Sequence, residues 1–171
     1  MNIYKAAPLS RLSIREYVKH IRIVTGTEDI MFFPIVEFME LVLPQLVEGF
    51  YYEICSKEKM PNKCGETFPA KNKICIREDI YEKAVNNDPF ARFSIAHEIG
   101  HLLLHDVGSI SLCRLEHGEK LKSFEDPEWQ ADCFGGEFLM YYPLIKGLTP
   151  SEISEQCGVT KRAASVQHSC V

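Results

Sequence analysis

The sequence predicts a mixed α+β domain with several helices and a small sheet in the middle of the chain. Three observations support this fold class. Apolar residues recur with a helical period over 14–24, 35–42 and 89–105. Short runs rich in β-branched and aromatic residues cluster between 50 and 77. Asp88-Pro89 and Asp126-Pro127 each place a capping side chain before a proline at the first helical position.

Size and composition fit one globular protein with an apolar core. The chain has 171 residues, of which 46% are hydrophobic and 25% charged. The formal net charge of −5 argues against a broad nucleic-acid-binding surface. Seven cysteines without a Cys-x-x-Cys pair, and a charged start unlike a signal peptide, predict a cytoplasmic protein with reduced thiols. No run approaches the ~20 apolar residues of a membrane span, so no membrane partner is expected.

Residues 1–48 are predicted to form helices. Ser13 has capping-box spacing before a helix that Gly26 can end. A second helix is expected from Pro34, and Pro44 should end or kink it. Strands follow at 50–55, 66–68 and 74–77, the last two joined by a turn. The 74–77 strand is either an edge strand that holds an extended peptide or an ordinary core strand.

The second half of the chain is predicted to be mainly helical. Asp88-Pro89 opens a helix to about residue 105, and a long connection with a short strand at 110–115 follows. Asp126-Pro127 opens another helix to about residue 141. Residues 149–168 hold two short helices around Gly158, which loosely resemble a helix-turn-helix. Their weak charge favours two packing helices over a DNA-reading pair.

The stretch "FSIAHEIGHLLLH", residues 93–105, carries the chemistry. On a helix of about 100° per residue, one narrow stripe contains Ser94, His97, Glu98, His101 and His105. His97 and His101 point the same way one turn apart, so both imidazoles can reach one zinc ion. Glu98 is rotated enough to approach the attacking water without competing for the metal, as in His-Glu-x-x-His sites. The alternative is a core helix whose histidines are satisfied by hydrogen bonds.

Zinc requires a third protein ligand, and several candidates can be compared. His105 lies about 12 Å along the helix axis from His97, too far to share its ion. Leu104 and Val107 stand where the metzincin pattern requires glycine and histidine, which excludes that class. Cys113 and His117 are loop candidates without a supporting pattern.

Glu128, in the first turn of the helix that Asp126 opens, is a better candidate for the third ligand. Asp132 follows four residues later on the same face, where it can hold the second N–H of a ligand histidine. Ala131 and Gly135 share this face and allow close packing on the first helix. The alternative is a solvated acidic pair that the helix dipole favours, and spacing alone leaves both open.

The blocks "RFSIAHEIGHLLLH" and "EWQADCFGGEFLMYYP" resemble those of the ImmA/IrrE family of metallopeptidases. The matching residues are Arg92, Phe93, Ala96, His97, Glu98, His101 and His105, then Glu128, Ala131, Asp132, Phe134, Leu139 and Met140. The resemblance implies a gluzincin-like, zincin-like minimal metallopeptidase with a small antiparallel sheet packed on the His-Glu-x-x-His helix. It implies a zinc metallopeptidase core over 49–143 and a C-terminal helical segment over 144–171 packed on that core. The first 50 residues match the family poorly, so the N-terminal helices over 1–48 rest on the sequence pattern alone.

The same resemblance implies the site and the substrate. His97, His101 and Glu128 would bind Zn²⁺, although Mn²⁺ or Fe²⁺ also suits such ligands. Glu98 would be the general base, with Asp132 behind a ligand. The implied activity is that of an intracellular endopeptidase that cleaves a partner helix-turn-helix repressor. The alternative is a non-catalytic regulatory module, binding DNA or protein, of a mobile-element or toxin-antitoxin-like system.

Some positions depart from the family pattern or stay unassigned. Gly135-Gly136 replaces the usual alanines, and Tyr141-Tyr142 precedes the expected proline. The donor for the developing oxyanion is open among four side chains, namely Tyr141, Tyr142, His105 and His117.

Overall fold

The computed structural model describes residues 2–106, 108, 110–114 and 120–171. Its N-terminal half contains β1 (Asn2–Ala6), α1 (Arg11–Val24), α2 (Ile35–Glu37), α3 (Leu43–Leu46), β2 (Tyr51–Cys55), β3 (Gly65–Phe68), β4 (Lys73–Arg77) and α4 (Glu78–Val85). Its C-terminal half contains α5 (Pro89–Leu104), β5 (Ile110–Arg114), α6 (Pro127–Leu139), α7 (Tyr142–Ile145), α8 (Pro150–Cys157) and α9 (Lys161–His168). The predicted α+β class is confirmed.

The strands form two sheets. One has the order β2–β4–β3, and the other pairs β1 with β5. The three-stranded sheet is mixed, because β2 runs parallel to β4 whereas β3 runs antiparallel to it. The prediction of an antiparallel sheet is therefore wrong for the β2–β4 pair, since the chain of 56–72 supplies the crossover that a parallel pair needs. The 74–77 run is the central strand β4, with both edges paired, so it is not an edge strand.

Helix α5 lies at the centre of the fold, as its composition predicts. Asp88 accepts a hydrogen bond from the Ala91 backbone nitrogen, and Pro89 follows it at the first helical position. Ile95, Ala96 and Ile99 are fully buried. The helix packs against β3 and β4 on one side and α6 on another. Its polar stripe therefore faces the remaining side, between the sheet and α6.

The N-terminal helices differ in detail from the prediction. The cap of α1 is Ser10, whose hydroxyl accepts from the Ser13 backbone nitrogen, rather than Ser13 itself. The helix predicted from Pro34 runs through α2 and α3 with a π-helical turn, Phe38–Val42, between them. This turn ends two residues before Pro44, which lacks an N–H and disturbs regular helical bonding.

The C-terminal helices are held by strong local signals. Thr149 and Glu152 form a reciprocal capping box at the start of α8. Gly158 separates α8 from α9 with a left-handed φ of 63°, a conformation that glycine adopts without strain. Residues from Ile14 to Ala164 contribute to one buried apolar cluster. Among the described residues, no helix combines the length and apolar character that crossing a membrane requires.

Candidate metal centre

Three side chains from two helices converge on one point. The Nε2 atoms of His97 and His101, one turn apart on α5, lie 3.0 Å from each other. Glu128, on α6, places one carboxylate oxygen 3.3 Å from His97 Nε2 and the other 3.3 Å from His101 Nε2. A tetrahedral zinc site with bonds of ~2.0–2.1 Å separates its ligand atoms by about 3.3 Å. The spacing and the donor types therefore fit a zinc ion held by these three residues.

The start of α6 positions the carboxylate. Asp126 caps this helix, and its Oδ1 accepts from the Glu128 backbone nitrogen at 3.0 Å. Further along, α5 and α6 approach closely, because a Cβ on Gly100 would lie 3.1 Å from the Ala131 carbonyl oxygen. The short distance between the helices lets a glutamate of one reach the imidazoles of the other.

His97 is oriented by Asp132, one turn beyond Glu128. Its Nδ1 donates to Asp132 Oδ1 at 2.7 Å, which leaves Nε2 free to face the other ligand atoms. Burial lowers the pKa of His97, but the hydrogen bonds to Asp132 and Glu128 outweigh it and raise the pKa to about 10. Hydrogen bonds from the imidazoles of His101 and His97 hold the pKa of Glu128 well below its usual range. The site therefore favours positive charge at its centre, as a cation site should.

His101 is oriented by a buried chain of hydrogen bonds. Its Nδ1 lies 3.0 Å from His105 Nδ1, and His105 Nε2 lies 2.8 Å from Gln130 Oε1. Gln130 Nε2 then donates to the backbone oxygens of Ala7 and Phe124, both at 2.8 Å. His105 is 2% exposed and Gln130 is fully buried. The ligand histidine is thus tied to the connection between β1 and α1.

The direction of this chain follows from the amide of Gln130. Both of its hydrogens go to carbonyl oxygens, so Oε1 accepts and His105 Nε2 carries the proton. A neutral His105 then has a bare Nδ1 that accepts from the Nδ1–H of His101. His101 keeps its lone pair on Nε2, the atom that faces the metal position. Burial lowers the pKa of His105, which favours the neutral ring that this chain requires.

Glu98 is buried on α5 and interacts electrostatically with His97, His101 and Glu128, and residues of β3 support it. The Thr67 hydroxyl lies 2.6 Å from Glu98 Oε2 and 3.0 Å from the Glu98 backbone oxygen. A Cβ on Gly65 would lie 2.7 Å from Glu98 Cγ, so glycine is needed for this approach. Burial raises the pKa of Glu98, and the Thr67 hydrogen bond partly opposes that shift. A carboxyl group with a raised pKa suits proton transfer near neutral pH.

A cleft of about 1130 Å³ opens over these residues. Strand β3, helix α5 and the first turn of α6 line it, and α9 contributes Arg162 and Val166 to its wall. Neither Tyr141 nor Tyr142, predicted as oxyanion donors, is among the lining residues. Tyr141 is 5% exposed with Arg22 against its ring, and Arg15 covers the ring of Tyr142.

Comparison with known proteins agrees with the geometry. Residues 56–162, more than half of the chain, match the peptidase M78 family, described as the IrrE N-terminal-like domain. The chain belongs to this family. The ImmA/IrrE resemblance inferred from the two motifs is therefore confirmed, and the family supports a metallopeptidase function in general. Comparison with curated proteins finds no match.

Membership of the peptidase M78 family does not assign roles to individual residues. The structure brings together His97, His101 and Glu128, and Asp132 contacts His97. Their roles as metal ligands and supporting residue remain predictions. His105 lies outside this group but contacts His101, and both its ring nitrogens are engaged. The two loop candidates for the third ligand, Cys113 and His117, are not tested. His117 lies outside the described residues, and Cys113 is described only as backbone of β5. Val107, used above to exclude the metzincin pattern, also lies outside the described residues.

Three residues of this site were not predicted from the sequence. Gly65 and Thr67 support Glu98 from a strand about 30 positions earlier, and no local pattern marks either. Gln130, by contrast, stands two residues after Glu128 and is fully buried. A glutamine among the apolar positions of a predicted helix is a weak signal of a buried hydrogen bond, and it could have been noted.

Proposed function

We propose that this protein is a zinc-dependent endopeptidase that hydrolyses a peptide bond of a protein substrate. One observation carries the proposal: the two imidazoles and one carboxylate converge within 3.3 Å beside a buried glutamate. The open cleft above them leaves access for a chain segment. The cytoplasmic location predicted from the sequence remains a prediction.

Each residue of the site has a role that follows from its position. A zinc ion bound by His97, His101 and Glu128 would supply Lewis-acid activation of water and of the scissile carbonyl. Glu98 takes a proton from the attacking water and passes it to the leaving amine. Thr67 holds the Glu98 carboxylate, while Asp132 and His105 hold the ligand imidazoles. Lys63 and Tyr4 also line the cleft and offer donors for the developing oxyanion.

Strand β3 suits an extended substrate. Within the described part of the chain it pairs with β4 alone, and residues 65–68 line the cleft. A peptide that adds to such an edge gains backbone hydrogen bonds independent of its side chains. The peptide would then run along the α5 stripe that contains Glu98.

Substitution Glu98→Gln tests the catalytic assignment. We expect a loss of peptidase activity with unchanged zinc content, because glutamine preserves the shape but cannot take the proton. Glu155→Gln is the control, since this exposed carboxylate on α8 lies outside the cleft. Full activity in Glu98→Gln, or equal loss in both variants, would contradict the assignment.

The substrate we propose is a helix-turn-helix transcriptional repressor, as the family resemblance implies. Incubation of the zinc-loaded protein with the repressor encoded beside its gene should yield discrete fragments, and Glu98→Gln should yield none. Absence of cleavage under every inducing condition would reject this substrate.

A DNA-binding role for the C-terminal helices is the competing function. Retention of a DNA fragment in a gel, abolished by substituting Lys161 and Arg162, would favour it. The position of α9 counts against this role, because Arg162 and Val166 face the cleft.

A further inference from the structure

A second group of metal-ligating side chains lies on the other face of the three-stranded sheet. Glu53, Cys55 and Cys75 each offer a ligand atom, and these atoms lie within 4.8 Å of one another. The parallel register places Glu53 beside Cys75, with Cys55 two residues further along β2. Side chains on alternate strand positions share a face, so the three project together. Ile74 and Ile76, the neighbours of Cys75 on β4, project into the main core instead.

We propose that Glu53, Cys55 and Cys75 form a site for a thiophilic divalent cation of the zinc and cadmium class. Two sulfur ligands select such ions over magnesium or calcium. Both thiols are free in the structure. The site is independent of the proposed peptidase activity, because it shares no residue with the His97 group.

The geometry allows the three atoms to close on an ion. The Cys75 sulfur lies 4.0 Å from Glu53 Oε2. Tetrahedral zinc with bonds of about 2.3 Å to sulfur and about 2.0 Å to oxygen requires ligand separations near 3.5–3.8 Å. Cys75 is buried, whereas Cys55 is half-buried and Glu53 is exposed. Cys55 and Glu53 therefore have space on the solvent side to move the short distance toward Cys75.

The Lys73 ion pair and the Cys75 thiol both affect how the site would bind an ion. Lys73 Nζ lies 2.7 Å from Glu53 Oε2, the oxygen that faces the Cys75 sulfur, so one lone pair of this oxygen accepts from Lys73 and the other remains for the ion. Burial, followed by hydrogen bonding to Cys55, raises the pKa of Cys75 to about 11, so this thiol releases its proton when the ion binds. Because Cys55 lies on β2 and Cys75 on β4, an occupied site links the edge strand to the central strand.

Cadmium titration of the full-length protein tests the proposal. We expect cadmium, added to two equivalents so that both groups can fill, to produce the ultraviolet charge-transfer band of cadmium thiolates, which the nitrogen and oxygen ligands of the His97 group cannot give. Cys55→Ser and Cys75→Ser should each lose the band. Glu53→Gln should keep it but require more cadmium. Cys170→Ser is the matched control, because this partly exposed thiol lies outside the group and should leave the band intact.

Each outcome supports or overturns the site. Loss of the band in the two cysteine variants, with an unchanged circular dichroism spectrum, supports it. Cys55→Ser carries the test if the buried Cys75→Ser variant fails to fold. An undiminished band in Cys55→Ser, equal loss in Cys170→Ser, or no band at two equivalents of cadmium overturns the proposal.

Discussion

Replacing Gln130 by methionine should weaken zinc binding, although this residue touches no metal. Methionine keeps the length of the side chain but removes the acceptor for His105 and the donors to two backbone oxygens. His105 is then free to carry its proton on Nδ1, facing the Nδ1–H of His101. The repulsion is relieved when His101 moves its proton to Nε2, where it competes with the metal.

The size of the effect depends on what Gln130 does for His101. Partners that orient a ligand histidine typically contribute about 10–100-fold to metal affinity. This corresponds to about 1.4–2.7 kcal/mol at 1.36 kcal/mol per tenfold change. The metal-free protein should also lose stability, because each buried polar group left unpaired costs about 1–3 kcal/mol.

Competition with a chromophoric chelator measures the zinc affinity, and urea unfolding of the metal-free protein measures stability. Gln167→Met is the matched control. Gln167 is equally buried and accepts from Arg11, but it has no contact with the histidine chain. It should lose stability and keep its zinc affinity. If Gln130→Met binds zinc within about twofold of the unmodified protein, the orientation of His101 does not depend on Gln130 and the reasoning fails.

Three further outcomes are expected. Thr67→Val should lower kcat with little change in zinc content or KM, because Glu98 loses the hydroxyl that holds it. Thr67→Ser keeps the hydroxyl and should have the rate of the unmodified protein. An unchanged kcat in Thr67→Val would contradict this role. Gly135→Ala should stabilise α6 by up to ~1 kcal/mol, because the added Cβ would make an ordinary 3.4 Å contact with the Phe93 ring. Gly136→Ala should give no such gain, because its Cβ would lie 2.9 Å from Gln167 Oε1. Equal unfolding free energies in urea would refute that difference. Removal of zinc should lower the unfolding free energy by about 2.7 kcal/mol, relative to protein in free zinc at 100 times its dissociation constant. Thermal unfolding scans over a zinc titration measure this difference.

The elements that the sequence predicted well are those with signals close to their ends. Helices α5 and α6 begin at Asp-Pro pairs, and α8 begins at a capping box. Three elements were missed, namely α4, α7 and β1, and they lack a capping side chain of this kind. Helix α4 begins directly after β4 without a side-chain cap, and β1 pairs with β5, more than 100 residues away along the chain. A strand that depends on so distant a partner leaves little trace in its own residues.

The candidate site shows the same division. His97, His101 and Glu98 were identified from helical spacing alone, since their arrangement depends only on α5. Glu128 required the resemblance, because spacing within α6 does not reveal which helix it faces. The supports for Glu98 come from β3, and no periodicity connects a strand to a helix some 30 residues later. Contacts of this kind depend on tertiary packing, which local patterns do not encode.

The spacing of the metal ligands is ultimately a property of how closely α5 and α6 pack. His97 and His101 are fixed relative to each other by one helical turn, but their distance to Glu128 is set by the approach of the two helices. That approach requires glycine at 100, because an added Cβ would lie 3.1 Å from the backbone of α6 and 3.1 Å from Phe134. A Cβ there would push the neighbouring atoms of α6 away by a few tenths of an ångström. Ligand distances tolerate only about 0.2 Å, so a change in this packed interface should weaken zinc binding without altering any ligand.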